Sequence, residues 1–140
     1  MTCQARLVPE LYCTDFDRSL AFYTVTLGFR VVYERRNSRF AFLEREGAQV
    51  MIEEPTEPDR VLLAAELAFP LGRGVNLQIE VGDVVELHNS VLASGAPVFL
   101  ELEEREYQRL EDAVRVRQFV VQDPDGYLLR FSQDLANSDA

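Results

Sequence analysis

The side chains of this chain that could do chemistry are carboxylates, one well-placed arginine and a few aromatics. Glu10, Glu53 and Glu80 each fall in a segment of alternating polar and apolar residues. Carboxylates so placed suit a cation, either as oxygen donors to a divalent ion or as partners of an organic ammonium. The plainer alternative is polar residues on the solvated face of a sheet. Arg130 carries a planar fork that matches a ligand carboxylate or phosphate, or else neutralises those glutamates structurally. Tyr12, Phe40, Phe42 and Tyr107 offer flat surfaces for stacking, with core packing the other use of Phe40 and Phe42.

Several chemistries are excluded by what is missing. All fourteen basic residues are Arg, so there is no Lys for a Schiff base or a P-loop. The single imidazole, His88, stands beside Leu87 in a helical stretch and is expected on its exposed side. Without a histidine in reach, neither a Ser-His-Asp nor a Cys-His nucleophile system is credible. Cys3 and Cys13 have neither metal-binding nor redox spacing; Cys13 reads as a small core residue, and nothing demands a disulfide. Asp123 and Asp125 resemble paired carboxylates, but in Asp123-Pro124-Asp125-Gly126 they belong to a turn.

The elements that must position these residues come in two similar sets. LVPELYC leads to TDFDRSLAFYTVTLGF and then to RVVYE, RFAFLE and AQVMIEE. VNLQIEV leads to GDVVELHNSVLASGAP and then to VFLELEE, VRQFVVQD and GYLLRFS. Each set reads as strand, helix and three strands. In the first strand, over 6–13, Leu7, Pro9, Leu11 and Cys13 alternate with Val8, Glu10 and Tyr12. Thr14, Asp15 and Asp17 offer caps for a helix over 16–26 whose stripe is Phe16, Leu20, Tyr23 and Leu27, with Gly28 ending it. Asp83 and Glu86 have capping-box spacing. They open a second helix with stripe Val84, Leu87 and Val91, stopped by Gly95 and Pro97. Residues 54–74 join the halves and are expected to include a short helix over 61–68. Residues 103–115, EEREYQRLEDAVR, read as a charged loop interrupting the second half.

Composition sets the broad class. The chain has 140 residues, 47% of them hydrophobic, which is one ordinary globular domain with a real core. A net charge of -10 disfavours nucleic acid as a partner and suits a cationic ligand, although acidity also serves solubility. No apolar run reaches membrane-spanning length. MTCQARLVPELYC lacks a basic region followed by an apolar stretch, so a cytoplasmic location is expected.

TDFDRSLAFYTVTLGF and FVVQDPDGYLLRFSQ, at this separation and inside a repeat, resemble the vicinal oxygen chelate superfamily of glyoxalases, extradiol dioxygenases, fosfomycin-resistance enzymes and bleomycin-resistance proteins. The resemblance covers residues 7–134. It implies an α+β fold of two βαβββ modules in pseudo-twofold repeat, with curled mixed sheets around a shared pocket. The domain would span 1–140, with module one at 7–55, a linker at 56–74 and module two at 75–134. The inward faces would carry Val8, Glu10, Tyr12, Gln49, Met51 and Glu53 in one module, and Asn76, Gln78, Glu80, Leu128, Arg130 and Ser132 in the other.

Metal-using members place His and Glu ligands on those faces. The motif match puts Val8, Met51, Asn76 and Arg130 at the four ligand positions, a set unsuited to a divalent metal. The resemblance therefore implies a metal-free and cofactor-free binding protein in the manner of bleomycin-resistance proteins, which dimerise and sequester a cationic drug. The expected ligand-binding residues are Glu10, Tyr12, Phe42, Met51, Glu53, Asn76, Gln78, Glu80, Tyr107 and Arg130, with no catalytic residue. The 103–115 segment resembles those proteins' ligand-covering segment, but the usual Trp is absent. The alternative is a metal-dependent lyase, isomerase or dioxygenase with an atypical carboxylate site built from Glu10, Glu53 or Glu80.

Overall fold

The computed structural model describes residues 3–56 and 61–136. In chain order the elements are β1 (Glu10–Tyr12), α1 (Phe16–Ala21), β2 (Arg30–Arg35), β3 (Phe40–Arg45) and β4 (Ala48–Glu53). They continue as β5 (Asn76–Glu80), α2 (Val84–Ser94), β6 (Val98–Gln108), β7 (Ala113–Gln122) and β8 (Leu128–Asp134). The chain divides into two compact units, one through Leu71 and one from Gly72 on. Each contains one mixed sheet, and the sheets have the same order: β1-β4-β3-β2 and β5-β8-β7-β6. In each, the first and last strands of the module pair in parallel while the other pairings are antiparallel. This is the α+β fold of two βαβββ modules.

Capping works alike in the two modules. Asp15 Oδ1 accepts from Arg18 N–H at 3.1 Å, and Asp83 Oδ1 accepts from Glu86 N–H at 3.0 Å. A further orphan donor of each first turn is taken by a side chain at or just past the module's last strand: Phe16 N–H by Glu54 Oε1 and Val84 N–H by Gln133 Oε1. Each cap is worth about 1 kcal/mol. In module one α1 lies against β4, and Leu11, Cys13, Ala41, Leu43, Val50 and Ile52 are buried together with Phe16, Tyr23 and Leu27. In module two α2 lies against β6, β7 and β8, and Ile79, Phe119, Val121, Leu129 and Phe131 are buried with Val84, Leu87 and Val91.

The Asp123–Gly126 turn is structural. Asp123 Oδ1 accepts from both Asp125 N–H and Tyr127 N–H, Gly126 N–H returns to Asp123 O, and both aspartates are buried.

Five local expectations are corrected. The first strand begins at Glu10, since Pro9 has no N–H to donate and contributes only its carbonyl, to Met51 N–H; Leu7 is exposed. The first helix is α-helical only to Ala21 and continues as a π turn over Phe22–Thr26, which buries Ser19 and leaves Leu20 half-buried. Residues 61–68 form no helix. Residues 103–115 are chiefly strand, forming a long β6–β7 hairpin closed at Arg109–Asp112. His88 is buried, with its ring edge-on to Phe119 at 5.0 Å and its Nε2 3.6 Å from a Glu101 oxygen. Among the described residues neither Cys3, which is exposed, nor Cys13, which is buried, is in a disulfide. Among the described residues no helix is long and apolar enough to cross a membrane.

Candidate functional site

Strand alternation sends one side of each sheet to its helix and leaves the other side for different use. On that other side, paired residues line up in rows across the strands. In module two one row reads Gln78, Arg130, Val120 and Leu100, and the next Glu80, Ser132, Gln118 and Glu103. In module one the corresponding rows read Glu10, Met51, Phe42 and Tyr33, then Tyr12, Glu53, Phe40 and Arg35.

The module-two rows border a cavity of about 410 Å³, lined by Gln78, Glu80, Arg130, Ser132 and Asp134, by Val116 and Gln118 of β7, and by Tyr107, Arg109 and Val114 of the hairpin. Gln118 is the structural centre of its floor. It is buried, and its Nε2 donates to Tyr107 Oη at 2.7 Å and to Glu103 Oε2 at 2.9 Å. Arg109 is occupied by a two-bond pairing with Asp112, at 3.0 and 2.9 Å. The hydrogen bonds that Arg109 donates to Asp112 raise its pKa above the ordinary value, with the charges of Asp112 and Asp134 adding to the effect.

Arg130 differs from Arg109. Its Nη2 donates to Gln78 Oε1 at 2.8 Å, and its Nε is buried without a hydrogen-bond acceptor. Among the described residues it has no ion-pair partner, and neither do Glu80 or Asp134. Asp134 accepts from Ala136 N–H. The Ser132 hydroxyl makes no hydrogen bond among the described residues. The cavity thus presents the Arg130 guanidinium and the Glu80 carboxylate, each without an ion pair among the described residues, the Ser132 hydroxyl, and Asp134, whose charge also acts on Arg109.

No nucleophile system is assembled there. Ser132 lacks a base, because His88 packs on Phe119, which alternates to the helix side of β7. Within neither module do three His, Cys, Asp or Glu side chains among the described residues gather as a metal-ligand group.

Of the expected ligand-binding residues, Gln78, Glu80, Tyr107 and Arg130 come together in this cavity. Asn76 shares their face but lies one row further along, opposite Leu128, and is exposed outside it. Glu10, Tyr12, Phe42, Met51 and Glu53 occupy two adjacent rows of module one. There Tyr12 and Phe42 are buried: Tyr12 Oη accepts from Leu62 N–H at 2.8 Å, and Phe42 stacks on Tyr33 at 5.2 Å. Gln118, Asp134, Arg109, Val114 and Val116 line the cavity without having been singled out. For Asp134 the signal was the alternation continuing from Arg130 and Ser132. For Gln118 it was a lone amide between Val116 and Val120.

A family model described as "Glyoxalase/Bleomycin resistance protein/Dioxygenase superfamily" matches residues 5–131. A solved superfamily member from Vibrio splendidus 12B01 is 42% identical, covering 91% of this chain and 96% of that one, with a TM-score of 0.41. TioX from Micromonospora sp. ML1 is 26% identical, covering 93% and 98%, with a TM-score of 0.72. A glyoxalase/bleomycin resistance protein/dioxygenase from Alicyclobacillus acidocaldarius is 19% identical, covering 95% of each chain, with a TM-score of 0.63. No functionally curated protein matches the chain.

Proposed function

This chain belongs to the glyoxalase/bleomycin resistance protein/dioxygenase superfamily, and from that premise we propose that it binds a small molecule non-covalently, without metal or cofactor. The observation that carries this reading is Arg130. It stands where the motif match places the closing metal-binding glutamate, and no carboxylate among the described residues neutralises it. A guanidinium there repels a divalent cation. Of the other matched positions, Val8 has no donor, Met51 has only a soft thioether and Asn76 has only a neutral amide oxygen, so no imidazole or carboxylate stands at any of the four.

The module-two cavity supports the binding side of the proposal. Its volume is within the range of small-molecule sites, and it combines an apolar wall with a few polar groups whose hydrogen-bonding capacity is unspent. Glu80 and Asp134 favour a positively charged group on the ligand, in keeping with the net charge of -10. Sequestration of a cationic drug, a homodimeric assembly and a cytoplasmic location belong to the same proposal, the first two by resemblance to bleomycin-resistance proteins.

A thermal-shift screen of chelator-dialysed protein against cationic drugs, bleomycin among them, tests the proposal. Stabilisation of the metal-free protein by at least one compound is expected. Stabilisation only after a divalent ion is restored would overturn it and favour the carboxylate-site enzyme.

A further inference from the structure

We infer that the module-two cavity is built for a zwitterion: a small molecule whose anionic group lies on Arg130 and whose ammonium lies between Glu80 and Asp134. This deepens the binding proposal and rests on it.

Acidic residues outnumber basic ones, 24 to 14, so an arginine finds a carboxylate easily. Arg30, Arg36, Arg39, Arg45, Arg105, Arg109, Arg115 and Arg117 all do. Among the described residues Arg6 and Arg35 do not, the latter lying over aromatic rings, and Arg130 does not, although Glu80 stands one row away on the same face. Its guanidinium is turned to the neutral Gln78 amide instead, leaving a buried Nε–H without an acceptor. A half-buried guanidinium kept apart from carboxylates at the edge of a cavity is poised for an acceptor from outside. A planar oxyanion such as a carboxylate meets that geometry.

The carboxylates lie further along the same face, Glu80 in the next row and Asp134 beyond it. Arg130, Ser132 and Asp134 follow one another on the same face of β8, and Glu80 stands opposite Ser132. With a rise of about 3.3 Å per residue, Arg130 and Asp134 are separated by about 13 Å along the strand. The cavity wall therefore runs from positive through the Ser132 hydroxyl to negative. A ligand carrying only a cation would leave Arg130 unanswered, and one carrying only an anion would face two carboxylates. A molecule with both groups, several ångströms apart, answers both ends. Val114, Val116 and Tyr107 supply apolar surface beside Asp134 for the ligand's body.

The experiment titrates the full-length protein with three probes of one carbon skeleton: ε-aminocaproate, caproate and hexylamine. Amide shifts of β5, β7 and β8 are followed by NMR. ε-Aminocaproate is expected to bind at least about ten-fold more tightly than either singly charged probe. Arg130→Gln should reduce it to the level of hexylamine, and Glu80→Gln should bring it toward that of caproate. If hexylamine binds the unmodified protein as tightly as ε-aminocaproate, the zwitterion proposal is overturned while small-molecule binding stands. If none of the three moves these amides, the zwitterion proposal is also overturned, and the binding proposal is then decided by its own thermal-shift screen.

Discussion

The same two rows of the same sheet position carry opposite contents in the two modules. Where module two has Glu80, Ser132 and Gln118, module one has Tyr12, Glu53 and Phe40; where module two has Gln78, Arg130 and Val120, module one has Glu10, Met51 and Phe42. Module one fills the face from within. Tyr33 stacks on Phe42, the Arg35 guanidinium lies 4.1 Å from the Phe40 ring centre, and Tyr12 holds the following segment through Leu62. Module two leaves a cavity bordered by unpaired charge. Strand order is shared, so the difference comes from the side chains of these rows and from the longer β6–β7 hairpin, whose Tyr107, Arg109 and Val114 complete the cavity wall of module two.

Substitutions on the two faces should separate these roles. The largest effect is expected from Phe40→Ala, which removes a buried ring and the surface under Arg35. Loss of about 3–5 kcal/mol is expected in chemical denaturation, with probe binding to the module-two cavity intact in the fraction that remains folded. A loss under about 1 kcal/mol would mean that the module-one face is not packed as described. Next comes Tyr12→Phe, which deletes only the hydroxyl that accepts from Leu62 N–H. It should cost about 1 kcal/mol and speed amide exchange at Leu62; unchanged exchange there would remove this tether from the account. Glu80→Gln, at the row position equivalent to Tyr12, should change stability by no more than about 0.5 kcal/mol while altering affinity for ammonium-bearing probes. A large stability loss in calorimetry would assign Glu80 a structural role instead.

The smallest expected effect concerns pH. Hydrogen bonds from Gln49, and then from Arg30, hold the Glu44 carboxyl below its ordinary pKa. A carboxylate whose pKa is depressed on folding stabilises the folded state above its unfolded pKa, and that contribution is lost as pH falls through the folded pKa. Glu44→Gln should therefore be less stable than the unmodified chain at neutral pH and converge with it in acid. Parallel stability curves through the acid range would contradict this.

How legible all this was in the sequence follows from which residues had to answer to only one demand. Asp15, Asp83 and Gly28 mark helix ends by local chemistry, and the Asp123–Gly126 turn is fixed by its own side chain and glycine, so the repeat and its fold could be read directly. The hairpin was missed because its charged residues face solvent and show no apolar alternation. Its signal was instead the cross-strand pairing of Arg115 and Arg117 with Glu104, which requires knowing the register. His88 was misplaced by counting imidazole as polar. Val84, Leu87, His88 and Val91 stand at i, i+3, i+4 and i+7, the buried stripe of a helix. At the candidate site, alternation identified the face that carries Gln78, Glu80 and Arg130. It could not reveal that Phe40, Phe42 and Tyr12 close the equivalent face of module one, since an aromatic at an alternating position serves a core or a pocket equally well.

The recognition proposed for this chain proceeds without a metal, on a face whose closing position is a guanidinium. Elemental analysis of the full-length protein, purified without chelator after exposure to a mixture of divalent ions and extensive dialysis, tests it most directly. No divalent metal at stoichiometric level is expected. One tightly held ion per chain, lost together with ligand binding on chelation, would contradict it.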